Sequence, residues 1–197
     1  MKRTALTLFS LLALAFAAVA EEAEIAGLSF QAPKGWQTAP PATAMRAAQW
    51  TIPGREEGQN GEVVAFFFGP GQGGDAKSNV ARWGTTVTTP QGVPAVGHTT
   101  IRRAGPDGSI TVTELDIYGT YSNAMAAPGL PATPLPDYGL IGVILDYSGG
   151  PIFLRLTGPE PLVRRQLAAF TKFVNSAKIA PTPSASTASA ASPAPKS

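Results

Sequence analysis

Cysteine is absent from this 197-residue chain, and His98 is its only histidine. No disulfide can staple the fold, so stability has to come from a buried core, and no thiolate can serve as nucleophile or ligand. One histidine without cysteine cannot assemble a familiar zinc site, and no Asp-x-Asp-x-Asp loop offers calcium a cradle. A Ser-His-Asp triad would have to recruit His98, yet no Gly-x-Ser-x-Gly turn exists to present its serine. Neither a metal nor an organic cofactor is expected. Charge is sparse as well, at 14% of residues.

Long apolar runs are missing except at the start. Lys2 and Arg3 precede an apolar stretch from Ala5 to Ala17, broken only by Thr7 and Ser10, and Ala18-Val19-Ala20 supplies small residues around a cleavage point. Residues 1–20 read as a signal peptide, which implies export to the periplasm or beyond. The uncharged run is barely long enough for a membrane span, and Glu21, Glu22 and Glu24 follow it in place of an anchoring basic cluster. Without Lys2 and Arg3, thirteen cations face thirteen carboxylates. The basic isoelectric point of the whole chain is therefore no argument for nucleic acid or anionic lipid as partner.

At the other end, every residue from Pro181 to Ser197 except Lys196 is Ala, Pro, Ser or Thr. Such a composition cannot offset the entropy of ordering, and residues 179–197 are expected to form a disordered tail. Residues 21–178 are expected to form one domain, too short for two.

Gly and Pro punctuation divides that domain into short strands and two helices. Glu24–Gln31, Met45–Ile52 and Glu62–Phe68 read as strands, the third a central one because its unbroken apolar run calls for cover on both faces. Asp75–Val87 reads as a helix, capped by Asp75 or Ser78, with Val80, Trp83 and Val87 on one side. Two hairpins follow, Val96–Arg103 with Ser109–Tyr118, and Tyr138–Tyr147 with Ile152–Thr157. Pro151 implies an edge or a strand start for the last of these. Pro159 and Pro161 open a final helix whose Val163, Leu167, Phe170, Val174 and Ala177 recur at steps of three and four. The sum is an α+β domain, a mainly antiparallel sheet of about seven strands covered by two amphipathic helices.

Several short motifs carry a resemblance. Gly35-Trp36, Met45-Arg46, the strand Val63 to Phe68 running into Gly69-Pro70-Gly71-Gln72-Gly73-Gly74, then Asn79, Arg82 and Trp83, and late Leu156-Thr157-Gly158-Pro159-Glu160, resemble the pattern of uncharacterised exported bacterial proteins. Those are in turn similar to the PsbP-like α/β/α sandwich, known from an extrinsic subunit of photosystem II and a nuclear-transport binding protein. The resemblance implies that fold and a binding role rather than catalysis, and no photosystem role.

Three places could carry chemistry. Gly69 to Gly74 matches a dinucleotide fingerprint in form, but no acidic ribose ligand follows at the required distance; a tight strand-to-helix turn, or a binding site at Gly71, Gln72, Gly73 and Gly74, is the better reading. Arg82, beside the apolar stripe of the first helix, could reach a partner. Thr120–Asp137 exceeds an ordinary connection in length and offers Met125 and Leu130 as contact residues. Glu114 and Asp116 share a strand face about 6.7 Å apart, within the range of inverting glycosidases. His98 would face Glu114 if its hairpin pairs without a bulge. The expected function is thus an extracytoplasmic, non-catalytic interaction module binding a protein or envelope component; the alternative is an envelope hydrolase working through Glu114 and Asp116.

Overall fold

A computed structural model describes residues 21–122 and 133–180. Thirteen elements follow in order: β1 (Glu21–Ile25), β2 (Leu28–Ala32), β3 (Gln37–Thr38), β4 (Arg46–Ile52), β5 (Gly61–Phe67), α1 (Ala76–Gly84), β6 (Val87–Thr88), β7 (His98–Ala104), β8 (Ile110–Tyr121), β9 (Leu135–Asp146), β10 (Ile152–Pro159), α2 (Glu160–Asn175) and β11 (Lys178–Ile179). The large sheet runs β3-β4-β5-β10-β9-β8-β6, with β7 also paired to β8, and every pairing is antiparallel. A second sheet, β1-β2-β11, holds three strands.

Alternation along the strands assigns the two faces. Ile141, Val143 and Leu145 of β9, with Ile152, Leu154 and Leu156 of β10, point toward α2 and the small sheet, where Phe30, Phe170 and Phe173 complete the main core. Phe173 stacks on Phe30 at 5.0 Å between ring centroids and meets the edge of Trp50 at 5.3 Å. On the opposite face Leu140, Ile144, Leu115, Ile117 and Phe153 form a smaller core under Trp83 and Val80 of α1. Helices therefore cover both faces of the sheet, α1 chiefly over β8 and β9.

The α+β class stands, with differences in detail. The large sheet has eight strands, in keeping with the expected sheet of about seven, and three more strands among the described residues form the small sheet. Glu24–Gln31 is a hairpin instead of one strand, because Ala26 and Gly27 both take positive φ, at 50° and 81°, and turn the chain in two residues. The first helix stops at Gly84; Val87 lies beyond it in β6, paired with Tyr121, and is buried in the cluster that includes Trp83. Pro151 precedes a central strand, so it marks a start and not an edge. Lys178 and Ile179 pair with Ser29 and Leu28, which carries ordered structure past residue 178. Strands β8 and β9 shorten the long connection, as β8 continues to Tyr121 and β9 begins at Leu135. Met125 and Leu130, the signal peptide of residues 1–20 and the tail from 181 lie outside the described residues.

Candidate functional site

The glycine-rich connection between β5 and α1 forms one wall of a cleft of about 370 Å³. Pro70, Gly71, Gln72, Gly74, Asp75 and Ala76 supply that wall, and the β9–β10 turn supplies the other through Asp146, Tyr147, Ser148, Gly150 and Pro151. Ile144 closes the floor. The two walls meet backbone to backbone: a Cβ added to Gly150, whose φ is 108°, would stand 2.8 Å from the Cα of Pro70. Close approach of two chains and positive φ are both conditions that favour glycine. Gly73 faces the other way, its missing Cβ leaving room for Phe153, which a methyl would meet at 2.5 Å.

Gly71, Gln72 and Gly74 thus line the cleft, whereas Gly73 packs inward and Arg82 is not among the lining residues. Arg82 is exposed and donates to Asn79 Oδ1. Asn79 is buried and donates through Nδ2 to the carbonyls of Gly73 and Asp75, each at 2.9 Å, which ties the connection to the helix. Missing from the sequence reading is the whole second wall. Ser148 to Pro151 read as a hairpin turn, and only the β5-β10-β9 strand order brings that turn against residues 70–76.

Electrostatics of the cleft oppose an anion. Asp75 caps α1, its carboxylate accepting from Ser78 N at 2.9 Å and Ser78 Oγ at 2.6 Å, and those bonds hold its pKa below the usual aspartate value. The donors that a phosphate would use at a helix start face this carboxylate instead, and Asp146 adds a second negative charge.

The carboxylates of β8 lie across the sheet from the cleft. Glu114 and Asp116 point with Val143 and Ile141 toward the α2 side, whereas Ile144 of the cleft points to the α1 side. His98 stands opposite Asp116, not Glu114, because the β7–β8 hairpin begins its pairing at Ala104 and Ile110 and shifts the register by two. Glu114 is 9% exposed and accepts from Arg102 Nη1 at 2.7 Å. Asp116 keeps one oxygen, Oδ1, buried with no hydrogen-bond partner. Burial first and the neighbouring Glu114 second raise its pKa above the ordinary value, against the opposing pull of His98, Arg102 and Arg164. From α2, Arg164 bonds Glu160 at 2.7 Å and lies 3.9 Å over the Tyr118 ring.

Among the described residues no group of three or more His, Asp or Glu is placed to hold a metal ion, and no helix is long and apolar enough to cross a membrane.

A twisted antiparallel sheet with one helix on each face, and a small sheet closing over the longer helix, is the PsbP-like α+β sandwich. Among solved structures, the solution structure of cyanobacterial PsbP (CyanoP) from Synechocystis sp. PCC 6803 is similar, with a TM-score of 0.50 and 14% identity over 82% of this chain and 93% of that one. Likeness at that identity is one of fold. No family model and no curated protein matches the chain.

Proposed function

We propose that the protein is an exported, non-catalytic binding module that holds a partner in the envelope through the cleft between the glycine-rich connection and the β9–β10 turn. The observation that carries this reading is the cleft itself, walled by two turns locked through Gly150 and Pro70 and lined by Asp75 and Asp146. Two carboxylates beside backbone amides and carbonyls suit a lysine or arginine side chain better than an acidic group. Export is supported by the sequence of residues 1–20.

The carboxylate-hydrolase alternative finds less support. Glu114 is committed to Arg102, and the sheet stands between the Glu114–Asp116 pair and the cleft. A substrate held in the cleft would meet neither group.

Affinity capture from an envelope extract tests the binding reading. The native chain should retain one stoichiometric partner, and Asp146→Asn should weaken retention about tenfold, as expected for loss of a charge-assisted contact. Asp146 is exposed, so this variant should fold normally. Equal retention by both proteins would remove the cleft from the account.

A further inference from the structure

Arg155 occupies a place where arginine is costly. It lies within β10, a strand paired on both sides, between Val64 of β5 and Gly142 of β9. The side chain is half-buried, its guanidinium 5.1 Å from the centroid of Phe66. Trp83 covers Gly142 next to it, so closely that a Cβ there would strike the indole. The ring holds the guanidinium by cation–π attraction and leaves its N–H donors for a further acceptor.

No carboxylate among the described residues pairs with it. All thirteen Asp and Glu side chains fall within the described residues, and none forms an ion pair with Arg155. Glu62, on the same sheet face, already accepts from Arg46 at 2.6 Å and from Gln49 at 2.9 Å. Another molecule could bring an anion to this guanidinium.

The surroundings indicate which kind. Phe68 is 45% exposed, stacks on Phe66 at 6.2 Å and leans on Phe153 at 5.8 Å. Arginine beside an aromatic stack with one exposed ring is a composition found at protein interface centres. A lipid surface or a nucleic acid would instead be drawn by an excess of positive charge, and the chain after residue 20 has thirteen cations against thirteen carboxylates.

We propose that Arg155, with the Phe66–Phe68 stack, is a docking point for a partner protein, taking an aspartate or glutamate side chain on the guanidinium and an apolar neighbour on Phe68. The proposal rests on the binding-module reading and adds a second contact on the face of the sheet that carries the cleft.

The test titrates the exported chain with the blocked peptide acetyl-Phe-Asp-Phe-amide at millimolar concentration, reading the backbone amide signals of Phe66 and Phe68. Saturable shifts are expected, about tenfold weaker in affinity with the Asn counterpart of the peptide and in Arg155→Lys, which loses the bidentate fork. Arg155→Met keeps an apolar contact on Phe66; it should lose the response and melt no lower than the native chain. Unshifted signals, equal response to the Asn peptide, or an Arg155→Met chain melting well below native would each overturn the proposal. So would inorganic phosphate or phosphatidylglycerol vesicles producing the same shifts at lower concentration, which would point to a free anion or a lipid surface. Asp146→Asn should leave the peptide response unchanged, so the cleft and this docking point fail separately.

Discussion

Asp116 is a residue at which this fold sacrifices stability, since one of its oxygens is enclosed without a partner while Glu114 sits two residues along the same face. Its folded pKa lies above the ordinary 3.8, so the folded state holds the proton more tightly than the unfolded chain does. Stability from this group is therefore full below that value and is lost as pH rises through the folded pKa. Asp116→Asn should melt higher than the native chain near neutral pH, by less than about 1 kcal/mol because the side chain is only partly buried, and the gap should close as pH falls below about 3.8. Thermal melts across pH check it. At this scale the sequence was readable only in part. Gly71, Gln72 and Gly74 could be marked because glycines between a strand and a helix announce a special turn. Asp146 and Ile144 could not, since their role depends on strand order and not on neighbours in the chain. Arg155 left a trace, the lone charge in Ile152-Phe153-Leu154-Arg155-Leu156, but its isolation from carboxylates needs the three-dimensional placement of all thirteen.

Elements were legible where apolar periodicity ran for more than one turn or pleat. The stripe from Val163 to Ala177 gave α2, and its residues are buried apart from a half-exposed Leu167. Phe173 fell outside that stripe and is fully buried, because α2 is covered twice, by the large sheet on one side and β2 on the other. Phe173→Ala should cost about 3–5 kcal/mol, measured by urea unfolding, since the ring fills the space between Phe30, Trp36 and Trp50. Strands β3, β6 and β11 have two residues each and are too short for any period to register. The β1–β2 turn was hidden because Ala26, at φ 50°, stands where asparagine or glycine would have signalled it.

For the molecule as a whole, export makes the simplest claim to check. Mass spectrometry of protein recovered from the envelope or medium should give the mass of a chain beginning at Glu21; a mass that includes residues 1–20 would place the protein elsewhere. The described chain starts in β1 and closes in β11, and both strands hydrogen-bond to β2. Glu21 pairs near the end of β2 at Ala32, while Ile179 pairs at its beginning, Leu28. A pull applied at Glu21 and Ala180 would thus drag the outer two strands along the middle one in opposite directions. Bonds loaded that way share the force and give way together, so the small sheet resists such a pull in shear instead of being unzipped one rung at a time.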